Sequence, residues 1–325
     1  VDQARPVMVI SGFLLSASLA ACGATGDESS EEYPTQAVEY VIPFDPGGES
    51  DITARLQQEP LEDVLDTNVN ITYQPGAGGA LAWSELTRAT PDGHTIAGFN
   101  LPHIIAQPMA SGDVGYETDD FKIVNIFQST PNLLVVREDS PIETLDEYIS
   151  AAKEGADAMS IGGTGTYTPN HLGTLLLERE AGIELGYTEF SGTGATVPAL
   201  LGGHVDSLFT FPTQLETQEG EMRPLAIATE ERLPGLEDVP TFQEEGYDVV
   251  GGAYRGTMVP KDTPDEVVEQ LAAAFDEIHS MPEVQEDFEE NSLKMEDYGP
   301  EEAAEFIDQR EGELEELFNE IGVLE

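Results

Sequence analysis

The stretch VIPFDPGGESDITAR, residues 41–55, runs from the apolar end of a strand through a Pro-Gly-Gly turn into a helix that begins near Ser50. Backbone N–H groups at a helix start are unpaired and carry the positive end of the helix dipole. Glycines that strip side chains away from such a start leave room for an anion to approach. The surrounding chain has a formal net charge of −51, with 64 Asp plus Glu against 13 Lys plus Arg. An anion site made of backbone donors needs none of those scarce cations. Three more strand-to-helix turns are written the same way: QPGAGGA (74–80), GGTGTYTPN (162–170) and SGTGATV (191–197). Any one of them alone reads as a turn that needs positive φ. Four in two series point to a common crevice at the C-terminal edges of open sheets.

Working outward, strands and helices alternate. VEYVIPF (38–44), VNITYQ (69–74) and HTIAGFN (94–100) read as strands, with helices after the first two. This predicts an open α/β pattern with a largely parallel sheet. A second series starts at NLLVVRED (132–139), continues into a helix opened by Ser140-Pro141 and closed at Gly155, and then AMSIGGTG (158–165). The next helix starts at Pro169 with Thr168 as its N-cap, and VDSLFTF (205–211) and MRPLAIAT (222–229) complete a second sheet. The C-terminal third reads as helical, with Val268, Leu271, Phe275 and Ile278 on one face and Phe306, Ile307, Leu314, Leu317, Phe318 and Ile321 marking the last helix. Trp83, the only tryptophan, is expected in the core. A chain of 325 residues is long enough for two domains, and no repeat of solenoid period is present.

The N-terminus carries one cation, Arg5, then an uncharged stretch from Pro6 to Gly26. Leu19-Ala20-Ala21-Cys22 resembles the lipobox of bacterial-type lipoprotein signal peptides, which places cleavage before Cys22 and a lipid on its thiol. A transmembrane anchor is the alternative, but Ser11, Gly12, Ser16 and Ser18 make a poor span. Cys22 is the sole cysteine, so no disulfide forms within one chain. The acidic GDESSEE (26–32) reads as a solvated tether. The expected layout is a signal peptide at 1–21, a tether at 22–34, a first lobe at 35–131 plus about 250–325, and a second lobe at about 132–249. The protein is then extracytoplasmic and lipid-anchored to the outer face of the cell membrane.

The charge excludes nucleic acid as a partner, because phosphate contacts need clustered cations. Acidic residues spread along the whole chain resemble the surfaces of proteins from salt-loving organisms, and self-repulsion should weaken the fold in dilute buffer. G-x-S-x-G, H-E-x-x-H, C-x-x-C and Gly-Lys are all absent. PGAGGALAW mimics a dinucleotide fingerprint, but Leu81 replaces the third glycine. No metal, cofactor or catalytic residue is expected, and an enzyme acting in the cleft is the remote alternative.

VIPFDPGGESDITAR, QPGAGGALAWSELTRATPDGHTIAGFN, FSGTGATVPALLGGHVDSLF, LEDVPTFQEEGYDV and RGTMVPKDTP follow one another in an order that resembles the substrate-binding proteins of tripartite tricarboxylate transporters, the TctC or Bug family. The resemblance spans about 35–320. It implies a type II periplasmic-binding-protein fold, two α/β lobes with a ligand cleft between them and a helical C-terminal segment. It further implies a monomer that captures a di- or tricarboxylate or related organic acid by closing, and that delivers it to integral membrane transporter subunits. A sensor that signals to a membrane kinase would use the same closure and is the alternative. By motif, the first lobe offers Phe44, Asp45, Pro46, Gly47, Gly48 and Asp51, then Ala77, Gly78 and Gly79. The second lobe offers Thr164, Gly165, Thr166 and His171, then Thr193 and Gly194, with Asp206 after the LLGG turn. The spacing from the Gly-Thr turn to His171 is longer than in the family pattern. Tyr254-Arg255 stands where an aromatic and a small residue are usual; Arg255 is expected to pair with surface acids, or else to reach a second ligand carboxylate. Asp51 either pairs with Arg55 at i,i+4 or braces the loop. Asp45 would repel a carboxylate unless it holds a water or a loop N–H. His171 either donates to an anion or caps and packs its helix.

Overall fold

The computed structural model describes residues 33–155, 159–190, 193–218, 220–291 and 293–324. The signal-peptide region, Cys22 and nearly all of the expected tether lie outside the described residues. Tyr33 onward is one compact unit.

The first series gives β1 (Val38–Ile42), α1 (Glu49–Leu65), β2 (Val69–Tyr73), a 3₁₀ turn (Ala77–Gly79), α2 (Ala80–Leu86), β3 (Thr95–Leu101), α3 (His103–Ser111) and β4 (Phe121–Pro131). The second gives β5 (Leu133–Arg137), α4 (Leu145–Ala152), β6 (Ser160–Thr164), α5 (Pro169–Ala181), β7 (Gly186–Phe190), α6 (Thr193–Leu201), β8 (Ser207–Thr210), α7 (Pro212–Thr217) and β9 (Met222–Ile227). The chain then returns through β10 (Gly252–Pro260), α8 (Asp265–His279), α9 (Pro282–Glu290), β11 (Lys294–Tyr298) and α10 (Pro300–Glu320). The result is an α/β protein with two sheets, ordered β11-β4-β10-β3-β1-β2 and β7-β6-β8-β5-β9.

The central strands of both sheets are covered on both faces and read as nearly continuous apolar runs, whereas the edge strands β7 and β11 stay exposed or half-buried. Side chains alternate across each sheet with period two. Leu134 and Val136 enter one core of the second sheet, while Leu133 and Val135 enter the other. In β1, Val38, Tyr40 and Ile42 face α8, and Val41 lies in the core that holds Trp83 and α10. Trp83 is fully buried, and the expected apolar faces of the last helices are buried against the first sheet.

Three expectations need correction. The first sheet is parallel only among β1, β2 and β3, because β10 inserts antiparallel between β3 and β4, and β11 pairs antiparallel with β4. The C-terminal third therefore supplies two strands as well as helices. The helix expected from Ser140-Pro141 starts at Leu145 instead, because the Thr144 hydroxyl accepts the Glu147 N–H at 3.2 Å and Glu147 reaches back to the Glu143 N–H at 2.7 Å.

The chain crosses between sheets twice, at Pro131-Asn132 and at Gly251-Gly252. These segments run side by side: the Asn132 N–H donates to the Gly251 carbonyl at 2.9 Å. A Cβ at Gly252 would stand 2.1 Å from the Thr130 carbonyl oxygen, so the close approach requires glycine there.

Candidate functional site

The β1–α1 turn leaves Pro46 and Gly47 exposed and makes Gly48 the N-cap of α1. Gly48 has no capping side chain, and the Asp51 and Ile52 N–H groups donate to its carbonyl. The amides of Glu49 and Ser50 have no acceptor inside the helix. Asp51 turns back and is buried. Its Oδ2 accepts the Gly47 N–H at 2.7 Å, while Oδ1 accepts the Tyr73 hydroxyl at 2.5 Å and Arg55 Nε at 2.7 Å. Burial raises the Asp51 pKa, but the bonds from Tyr73 and Gly47 and the Arg55 charge outweigh it and hold the carboxyl below its ordinary range. Asp51 thus makes both contacts weighed from the sequence, the ion pair and the loop brace. Asp45 is exposed on the turn.

The second turn stands beside the first through an aromatic floor. Phe44 lies edge-on to Trp83, with centroids 6.4 Å apart, and to His103 at 5.9 Å. Trp83 donates its indole N–H to the Gly98 carbonyl at 3.0 Å and lies under Gly79, where a Cβ would come within 2.6 Å of its ring. Ala77, Gly78 and Gly79 all have positive φ, and Gln107 Nε2 holds the Gly78 carbonyl at 3.0 Å. The His103 imidazole is neutral: burial, and then the nearby Arg255 charge, push its pKa down to about 3.

In the second sheet, Thr164 ends β6. Its hydroxyl donates to Asn170 Oδ1 at 2.8 Å, and Asn170 Nδ2 donates to Asn132 Oδ1 at 3.1 Å on the crossing segment. Thr168 is the N-cap of α5 by position, yet its hydroxyl donates backward to the carbonyls of Thr164 and Gly165, at 2.6 and 2.9 Å. Thr166 is exposed and donates to Glu189 at 2.9 Å. His171 Nδ1 accepts the Tyr167 N–H at 3.0 Å and its ring packs on Tyr187 at 4.5 Å, which is the capping arrangement. Burial lowers its pKa against the opposing Glu189 charge. Thr193 and Gly194 open α6. Asp206 is not brought to these turns: its Oδ2 accepts the Ser160 N–H and hydroxyl at 2.9 and 2.6 Å, so it ties the N-terminal ends of β6 and β8, the edge opposite Thr164.

Arg255 does not make the expected surface pair. It is 6% exposed, with Nη2 2.5 Å from Glu49 Oε2 and Nη1 3.0 Å from the Thr130 hydroxyl. Glu49 Oε1 also accepts the Thr213 hydroxyl of α7 at 2.6 Å. Sequence reasoning missed Glu49, Thr130 and Thr213. The one available signal was the departure at Arg255. A cavity of about 380 Å³ lies elsewhere, between α5, α10 and β10, and none of the predicted ligand residues lines it. Among the described residues no group of three or more His, Cys, Asp or Glu could hold a metal ion, and no helix is long and apolar enough to cross a membrane.

The sequence model of the TctC family, described as the tripartite tricarboxylate transporter family receptor, matches residues 53–323. The chain is 29% identical over 272 residues to the UPF0065 protein of the gbd 5' region of Cupriavidus necator, covering 83% of each. The periplasmic binding protein BugD superposes with a TM-score of 0.80 at 28% identity, covering 90% of this chain and 99% of BugD. MatC of Rhodopseudomonas palustris, solved with bound malate, gives 0.79 at 28% identity, covering 88% of this chain and 99% of MatC. The motifs, the two-sheet fold and these matches together show that the chain belongs to the TctC family of tripartite tricarboxylate transporter receptors.

Proposed function

We propose that this protein is an extracytoplasmic solute-binding receptor that captures a small organic carboxylate between its two sheets and presents it to membrane subunits of a tripartite transporter. The observation that carries this reading is the α1 start. There Asp51 pulls the Gly47 amide inward and fixes a turn whose following amides, on Glu49 and Ser50, have no helical acceptor. A ligand carboxylate bonded to those amides and to the Ala77–Gly79 turn would sit over the Phe44, Trp83 and His103 floor. Thr164 to Thr166 and the start of α6 would approach it from the other sheet. Closure would bend the paired crossing segments at Asn132 and Gly251, and the ligand would shift the population through contacts made only in the closed form. MatC, which shares the fold, was solved with bound malate. Anchoring through Cys22 and adaptation to high salt complete the proposal; the composition supports both.

The test is a thermal-shift panel on the full chain in molar salt, with mono-, di- and tricarboxylates, amino acids and phosphate. A ligand at a hundred times its dissociation constant adds about 2.7 kcal/mol of stability. A shift confined to carboxylates is expected; a shift with amino acids or phosphate alone would reject the reading.

A further inference from the structure

Arg255 is the one buried cation among the described residues. The register between β10 and β4 shifts between Arg255 and Gly256, a bulge that re-aims the strand locally. The Arg255 guanidinium contacts Glu49 and Thr130, and its buried Nε has no partner. Its charge is felt by His103, which packs on Phe44. Glu49 is the first helical residue after Gly48, and its carboxylate touches β4, β10 and, through Thr213, α7 of the second sheet. One side-chain carboxylate therefore spans both sheets beside the turn assigned to the ligand.

We propose that Glu49 is a resident carboxylate that selects against a second acidic group on the ligand, so that the cleft takes an organic acid with a single carboxylate and an uncharged far end. The inference rests on the carboxylate-capture reading above. In this reading a ligand carboxylate bound at the α1 amides extends toward the second sheet, on the side where the Glu49 carboxylate bonds Arg255 and Thr213. A second carboxylate there finds Arg255 already neutralised. To claim Arg255 it must expel Glu49, which then loses its countercharge in a half-closed space; to leave the pair intact it must sit beside a like charge. An uncharged end meets neither cost.

The experiment measures affinities of the full chain, in molar salt, for chain-matched acids: butyrate against succinate, pentanoate against glutarate, hexanoate against adipate. Wild type is expected to favour the monoacid. Glu49→Gln keeps the side-chain length and the contact with Thr213 but frees the guanidinium charge, and it should raise diacid affinity relative to monoacid by about tenfold or more. The double variant Glu49→Gln with Arg255→Met should return the ratio toward wild type. An unchanged ratio in a folded Glu49→Gln protein, whatever its stability, would make the pair a structural brace only and overturn the proposal. So would a wild type that already favours the diacid tenfold. If no acid binds wild type or either variant, all shown to be folded, the carboxylate reading itself fails and the proposal falls with it.

Discussion

The turns that open α1 and α5 are both glycine-rich strand-to-helix joints, yet opposite chemistry braces them. At α1 a buried carboxylate does the work: Asp51 gathers an amide, a phenol and a guanidinium. At α5 the bracing groups are uncharged, with Thr164, Thr168, Asn170 and a deprotonated His171 nitrogen linking the loop to itself and to the crossing segment at Asn132. The Asp51 brace thus lies within the first sheet and its helix, with Glu49 alone reaching across to Thr213, whereas the second is tied to the segment about which the sheets would move. A site built this way would keep its anion donors rigid and let the opposing wall follow the hinge.

The sharpest way to break the comparison is to fill the first turn without disturbing its brace. Gly47 is a poor choice because its φ of +88° strains any side chain; Gly48 has φ −86°, and a Cβ there meets nothing closer than 3.9 Å. Gly48→Val should abolish carboxylate binding in isothermal titration while leaving the melting temperature near wild type. Removing the charged brace comes next: Asp51→Ala takes away the acceptor of the Gly47 N–H, while the exposed Arg55 and the half-buried Tyr73 rehydrate, and should cost about 2 kcal/mol in urea unfolding. Removing the neutral one with Asn170→Ala leaves Asn132 Oδ1 without its donor and the Thr164 N–H without its acceptor, and should cost about 2 kcal/mol. Thr168→Val loses one hydroxyl and should cost about 1 kcal/mol.

Acid weakens both braces with the same sign but in different windows. Histidines whose folded pKa is lowered, His171 here, His279 at about 4 and His103 at about 3, bind protons more readily when unfolded. Their contribution is intact above about pH 6.5 and fades below it. Asp51 is also lowered, so its contribution is intact above its ordinary value of 3.8 and is lost only as pH falls beneath that. Stability measured against pH should therefore decline in two stages, and Asp51→Asn should flatten only the second. Flattening of the first stage would show that Asp51 is not the acid-sensitive brace of the α1 turn.

The α1 turn was largely legible because its signals are local. Pro-Gly-Gly marks the break, Asp51 lies one helical turn beyond, and both of its weighed partners lie within reach of that turn. The α5 turn was legible as a loop with a helix start at Pro169, but not as a brace, since Asn132 and Asn170 meet only once β5 and β6 are placed. Asp206 was carried to the cleft by its position after the LLGG turn, although the direction of β8 puts it at the far edge. Glu49 reads in sequence as one more acid in a first helical turn, where the helix dipole favours it.

The sequence by itself determined the alternation of strands and helices, the four glycine turns and the faces buried by α8 and α10. Hydrophobic period and turn chemistry act over a few residues, so one segment carries all the information they need. Tertiary structure alone decided that β10 and β11 enter the first sheet antiparallel, that Asp51 is buried while Asp45 stays on the exposed turn, and that Glu49 meets Arg255, Thr130 and Thr213. In a chain with so many carboxylates, composition cannot mark the few that leave water. That choice depends on whether distant strands and helices deliver enough donors to one point to offset the loss of hydration.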